Sequence, residues 1–276
     1  MGEYNPIADF ENGNVIISGV VNFDPKQTFD CGQAFRWKEL RENRWSGVVG
    51  GRIINVEKKN GKIVLEDVSL DEYEAFWRSY LDIDRDYSEI ISAISDNEIL
   101  KKAAEQNSGI RILRQDRWET LCSFIISQNN NIPRIKGIIE RLYESFGDDI
   151  GGAYSFPSAE RIAVLTAEEL APIRCGFRAR YIIDGAQKFL NGEVDQNIVL
   201  TSDIDTARAE LMKITGVGTK VADCTLLFGF GRIDALPKDV WIKRAIETFF
   251  NGSFPKSAIP YAGIAQQYLF NYIRNL

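Results

Sequence analysis

The chain contains no histidine. That absence excludes Ser-His-Asp and Cys-His machinery and any imidazole-held metal. Proton transfer and nucleophilic attack are left to Lys, Asp, Glu, Tyr, Cys or Ser. Cysteine is sparse as well: Cys31, Cys122, Cys175 and Cys224 are scattered singly. No zinc or iron–sulfur spacing exists among them, so reduced intracellular thiols are expected. No apolar run approaches the roughly 20 residues that span a bilayer. The first twenty residues lack a basic stretch followed by an apolar core, so no secretory leader is expected and the cytoplasm is the expected location. Positive charge is also short, 33 Lys and Arg against 39 Asp and Glu, for a net charge of −6. A general nucleic-acid binder is usually basic, so this composition argues against one. It still permits a local positive face, which is all that phosphate contacts require. Arginines do cluster, as Arg111, Arg114 and Arg117 and again as Arg174, Arg178 and Arg180.

What is present is ordinary for a globular chain of 276 residues, 45% apolar and 26% charged, enough for one large or two modest domains. The first third reads as strands at Asn14–Val20, Arg44–Val49, 52–58 and 62–66, broken by Gly50-Gly51 and Asn60-Gly61. Asn-Gly is a strong hairpin signal, and the connections are too short for crossovers, so an antiparallel meander is predicted. From Asp71 the period becomes helical. Tyr73, Phe76, Trp77, Tyr80 and Leu81 fall on one stripe. Further helices are predicted over 87–95, 98–106, 118–128, 133–146, 178–190, 205–214, 220–230, 239–250 and 261–273. Thr166 with Glu169 forms a capping-box pattern, and Asn191-Gly192 a helix stop. Strands followed by helices make the fold class α+β. A β domain with flanking helices is predicted over 1–115 and a helical domain over 116–276.

The chemistry concentrates in Gly216-Val217-Gly218-Thr219-Lys220, a Gly-rich hairpin between apolar helical stretches at about 205–230. Gly216 and Gly218 permit positive φ and close approach of a phosphate, and a helix start points N–H groups at an anion. A DNA-backbone clamp in which Lys220 only supplies charge accounts for the hairpin by itself. Asp239, in Leu236-Pro237-Lys238-Asp239-Val240, adds a carboxylate at the start of another helix. Its ordinary role there is an N-cap, which is compatible with facing an active site. An amine and a carboxylate able to meet one sugar suggest chemistry on DNA rather than binding alone.

With these residues in view, the chain resembles the 8-oxoguanine DNA glycosylase/lyases of the helix-hairpin-helix superfamily, over nearly its full length. The matching segments are Cys31-Gly32-Gln33-Ala34-Phe35-Arg36-Trp37, Trp45-Ser46-Gly47-Val48, Ser127-Gln128-Asn129-Asn130-Asn131-Ile132-Pro133-Arg134 and Gly176-Phe177-Arg178-Ala179-Arg180-Tyr181. The hairpin through Cys224 and the tail Gly263-Ile264-Ala265-Gln266-Gln267-Tyr268-Leu269-Phe270 complete the set. Their joint order is far more specific than any one of them.

The resemblance implies a TATA-box-protein-like β domain packed on a helical domain. It implies Lys220 as catalytic lysine and Asp239 as catalytic aspartate. Gly32 would read the lesion's N7–H through its carbonyl, Gln266 its Watson–Crick edge, and Cys224 and Phe270 its two faces. Asn129, Arg134 and Arg178 would hold the orphaned cytosine. On spacing alone, Gly32 is a turn glycine, Phe270 a core residue, Cys224 a small buried hydrophobe, and each arginine an ion pair or phosphate contact. Phe177 stands where eukaryotic members carry a tyrosine wedge, and Trp241 where they carry a phosphate-contacting histidine. The family's hairpin can hold a structural cation on backbone carbonyls, here those of Met212, Ile214 and Val217; no cofactor is implied. The expected partner is duplex DNA containing 8-oxoguanine, bound by a monomer. Two rivals remain. A monofunctional glycosylase for alkylated bases would lack the lysine nucleophile, and a non-catalytic DNA-binding module would use the hairpin only as a clamp.

Overall fold

The structure, a computed structural model, describes residues 4–274. Two compact units divide the described chain: one takes in 4–49, 53–114 and 239–274, the other 50–52 and 115–238. The predicted helical block 116–276 is therefore left at Lys238, and the last stretch belongs with the strands.

The first unit is built on a six-stranded antiparallel sheet in the order β1-β2-β6-β5-β4-β3. Its strands are β1 (Ile7–Glu11), β2 (Asn14–Ser18), β3 (Trp37–Arg41), β4 (Arg44–Val49), β5 (Arg52–Lys59) and β6 (Lys62–Leu65). The meander holds from β3 to β6, while β2 pairs with β6, with Ile16 opposite Val64. At the β5–β6 turn Asn60 and Gly61 both have positive φ (51° and 74°), the geometry of a type I′ turn, whose twist matches its flanking strands. Lys59 accordingly faces Lys62 across that turn. β1 and β3, which the sequence pattern misses, are the two edges.

Alternate residues of the inner strands form one buried face: Val15 and Ile17, Trp45 and Val49, Ile54 and Val56, Ile63 and Leu65. Phe29, in the short helix Pro25–Phe29, stacks on Trp37 with ring centroids 3.9 Å apart. Gly47 lies opposite Trp37, and a Cβ there would sit 2.6 Å from the indole. The segment 70–80 covers this core through a π-helical turn at Tyr73–Trp77. That turn adds a residue to the helical repeat, so Tyr73, Trp77, Tyr80 and Leu81 stay buried while Phe76 leaves the predicted stripe and is exposed.

The remainder of this unit is helical. Glu98–Asn107 packs with Ala262–Arg274, and the Asn107 side chain donates to the Tyr268 carbonyl at 3.5 Å. The helix Ala262–Arg274 is buried from Ala262 through Leu269.

The second unit is helical. Its central helix, Arg117–Ile126, is buried at every position from Trp118 to Ile126 except Glu119. It is packed by Thr219–Gly229 and by Arg178–Asn191. Asn131 caps Ile132–Phe146 with a bond to the Arg134 N–H, and Pro133 occupies that helix's first turn. The predicted stop at Asn191-Gly192 is present, with Gly192 in the left-handed region at φ 79°. The Thr166/Glu169 capping box forms both reciprocal bonds, yet only the 3-10 turn Ala171–Ile173, carrying Pro172, follows it.

Candidate active site and nucleic-acid interface

In the second unit the helices Ile204–Leu211 and Thr219–Gly229 flank the predicted hairpin. The hairpin is fixed from outside by Arg178–Asn191. Asp184 accepts the Thr215 N–H at 2.7 Å, and Lys188 bridges Asp184 and the Lys213 carbonyl at 3.2 and 2.8 Å. Gly216 adopts φ 79°, and a Cβ there would meet the Tyr181 ring at 2.3 Å. Gly218 differs in kind. Its φ is −98°, and a Cβ would touch nothing within 4 Å. It is the N-cap of Thr219–Gly229 and brings no side chain to the cap, so the first-turn N–H groups are left to an incoming acceptor.

Lys220 lies in that first turn, half-buried. Its Nζ donates to Ser127 Oγ at 2.9 Å and stands 5.0 Å from the centroid of the Phe124 ring. Cys224, one turn on, is buried on the same helix. For the carbonyls named as a cation cradle, Ile214 O already accepts the Val217 N–H at 3.0 Å, and Met212 is exposed. The Lys188 ammonium supplies positive charge at the intervening Lys213 carbonyl. Among the described residues no group of three acidic, Cys or His side chains could hold a metal.

The loop after Arg117–Ile126 carries Asn129, exposed and left-handed at φ 47°. Arg178 holds this loop. Only 3% exposed, its guanidinium donates to the carbonyls of Gln128, Asn129 (3.2 Å) and Cys175 (3.1 Å). Burial, with Arg134 alongside, pulls that guanidinium below the usual arginine range. Arg134 is exposed on the first turn of its helix. Phe177, 57% exposed, lies edge-on to Tyr181 and beneath Arg178. The structure thus brings together Asn129, Arg134, Phe177 and Arg178, with Arg178 directed at backbone.

The other predicted residues are in the first unit. Asp239 is the N-cap of Val240–Phe250, its Oδ1 accepting the Ile242 N–H at 2.8 Å. Trp241 follows on that helix, 52% exposed. Gly32, at φ 83°, sits in the turn after Pro25–Phe29. That turn is pinned by the buried Gln33 amide, which donates to the carbonyls of Thr28 and Arg111, both at 2.8 Å, and accepts the Leu113 N–H at 2.9 Å. Beside it, burial pushes the Cys31 thiol up to about 12. Gln266 is 4% exposed, and its Oε1 is buried with no hydrogen-bond partner among the described residues. Phe270 is only half-buried, with Arg274 over its ring at 5.3 Å, so the core role its spacing suggests is not the one it has.

Sequence reasoning missed Ser127 and Phe124 as neighbours of the lysine. Ser127 was visible only as the head of a matching polar segment where an apolar helix stops, and Phe124 only as a member of that apolar helix.

Known proteins share the sequence and fold of this chain. Residues 15–121 match the 8-oxoguanine DNA glycosylase N-terminal domain, and residues 122–257 match the HhH-GPD superfamily of base excision DNA repair proteins. The chain is similar to MBOgg1, solved with a low-affinity DNA ligand: 40% identity, 98% of this chain and 99% of that one, TM-score 0.91. It is similar to the Clostridium acetobutylicum 8-oxoguanine glycosylase/lyase, solved with double-stranded DNA containing cytosine opposite 8-oxoG: 34% identity, 98% of both chains, TM-score 0.90. The N-glycosylase/DNA lyase of Saccharomyces cerevisiae is 32% identical over 78% of this chain, which spans 65% of that protein's length. No helix among the described residues is long and apolar enough to cross a membrane. The chain belongs to the 8-oxoguanine DNA glycosylase family, within the HhH-GPD superfamily of base excision DNA repair proteins.

Proposed function

We propose that this protein excises 8-oxoguanine from duplex DNA, preferentially opposite cytosine, and cleaves the resulting abasic site by β-elimination. The observation that carries the reading is Lys220: a half-buried amine at the end of a glycine hairpin whose helix start is open to a phosphate. The lesion nucleotide is flipped out of the stack, because C1′ is not reachable inside it. The neutral Lys220 amine forms a bond to C1′ as the C1′–N9 bond breaks. The electron pair leaves with the base, which takes up the proton the nitrogen sheds. Opening of the sugar ring gives a Schiff base. Loss of a C2′ proton then expels the 3′ phosphate.

Asp239 stabilises the cationic sugar as the base departs. Its cap bond occupies Oδ1, and the two roles coexist. The Gly32 carbonyl selects the lesion, since 8-oxoguanine carries an N7–H where guanine presents an acceptor, and two buried acceptors face to face are penalised. The partnerless Gln266 Oε1 suits the N–H donors of the base's Watson–Crick edge. Phe270 and Cys224 take the faces of the base, and Phe177 fills the gap it leaves. Asn129, on a loop whose shape Arg178 holds, and Arg134, in the first turn of the next helix, meet the orphaned cytosine. The hairpin glycines Gly216 and Gly218 and the exposed Trp241 lie along the DNA backbone.

The test is borohydride trapping on lesion-bearing duplex. Wild-type protein is expected to form a covalent adduct that Lys220→Gln, while still binding that DNA, does not. An adduct at wild-type yield in Lys220→Gln rejects the assignment. A wild-type protein that releases the base without any adduct would instead be monofunctional.

A further inference from the structure

We infer that Ser127 is a positioning residue that orients the Lys220 amine, an inference that rests on Lys220 being the nucleophile. Ser127 closes the central helix Arg117–Ile126, and its own N–H is bonded to the Ser123 carbonyl at 3.0 Å. Its hydroxyl donates to the Phe124 carbonyl at 2.7 Å. A serine hydroxyl has one proton and two lone pairs. With the proton committed to Phe124, a lone pair is what faces Lys220 Nζ at 2.9 Å. The amine must therefore be the donor in this contact.

Two consequences follow for a lysine side chain with four rotatable bonds. One N–H of the amine is fixed on Ser127, which aims the nitrogen lone pair away from the helix end. The Phe124 face, 5.0 Å from Nζ, borders the nitrogen on another side and attracts its positive N–H edge. Both features belong to a single helical turn, 124–127. That turn leads directly into Gln128 and Asn129, whose carbonyls the buried Arg178 grips. The lysine is thus oriented by a helix end that is itself held by hydrogen bonds. Ser127 acts through Lys220, and its effect belongs to the rate of bond formation at C1′, not to DNA affinity.

The experiment compares Ser127→Ala and Ser127→Thr with wild type. The readouts are single-turnover excision of 8-oxoguanine, borohydride trapping on a preformed abasic duplex, affinity for uncleaved duplex, and melting temperature. Losing one orienting hydrogen bond is expected to slow excision and trapping by roughly tenfold, with affinity changed less than about twofold. Threonine keeps the hydroxyl and is expected to restore both rates to within about threefold of wild type. Wild-type rates in Ser127→Ala overturn the inference. So does failure of threonine to restore them, because loss with either residue reports packing at the helix end. If Lys220→Gln traps as well as wild type, the nucleophile assignment itself falls, and the orienting role of Ser127 falls with it.

Discussion

Replacing Gly216 by alanine separates the architecture of the hairpin from its chemistry. Two costs are expected. At φ 79° an L-residue is in the left-handed region, which costs about 1–2 kcal/mol. The new Cβ also falls 2.3 Å from Tyr181 Cδ2, and ordinary carbon contacts are near 3.5–4.0 Å, so the ring must retreat by roughly 1 Å or more. Overpacking of that kind costs about 1–3 kcal/mol. Together Gly216→Ala should destabilise the protein by about 2–5 kcal/mol, a large share of the roughly 5–15 kcal/mol a folded protein holds. Urea unfolding of Gly216→Ala, Tyr181→Ala and the double variant divides the total. The clash disappears in the double variant, so a coupling of about 1–3 kcal/mol is expected and the left-handed cost remains. Gly218→Ala is the contrasting variant. Its φ of −98° suits any residue and its Cβ would meet open space, so only the poorer N-cap counts and the loss should stay within about 1 kcal/mol. If the open side of Gly218 is where a phosphate approaches, that methyl group should weaken duplex binding severalfold. A Gly216→Ala protein as stable as wild type, or zero coupling to Tyr181, would refute the packing argument.

Asp239→Asn keeps a good N-cap, so unfolding should change by only a few tenths of a kcal/mol while excision falls on the order of a hundredfold or more; unchanged single-turnover excision would sink the catalytic role. Gln266→Met removes a buried acceptor that lacks a partner at nearly constant volume, so thermal stability should hold or rise while lesion excision drops and affinity for an abasic-site duplex is kept; loss of stability would mean the amide is bonded in the free protein. Arg134→Met should narrow the preference for cytosine over adenine by roughly 1–3 kcal/mol, measured as single-turnover rates at two salt concentrations, whereas equal slowing with every opposite base would mark a phosphate contact. With its thiol raised to about 12, Cys31 is a thiolate in only about one part in ten thousand at pH 8, so alkylation of the native protein there should require opening and accelerate sharply in denaturant.

Much of this was legible in the sequence, for identifiable reasons. The strands β2, β4, β5 and β6 are interior, and each buries alternate residues over its central part between turn signals. The edges do not: β1 buries none of its five residues and β3 buries only Trp37, which leaves no period to read. Phe76 left its predicted stripe because a π turn shifts the repeat, and no side-chain pattern announces such a turn. The capping box at Thr166 and Glu169 shows that start signals do not carry a helix when Pro172 lies just beyond. At the site, resemblance named Lys220, Asp239 and Gln266, but the contact from Lys220 to Ser127 joins residues far apart in the chain and was invisible to spacing. Arg178 was expected to hold the orphaned cytosine, whereas its burial and three carbonyl partners depend on the tertiary path of the Asn129 loop.

That use of Arg178 has an electrostatic consequence. Carbonyl oxygens satisfy a guanidinium's donors without cancelling its charge, and among the described residues all the acceptors of Arg178 are carbonyls. The charge therefore persists beside Arg134, in a protein whose total is −6. A polyanion reaching this sector meets those two positive charges, while the net charge of the whole chain repels it. Added salt should then weaken attraction at this sector while also relieving repulsion elsewhere, giving a shallower ionic-strength dependence than a uniformly basic protein of the same size would show.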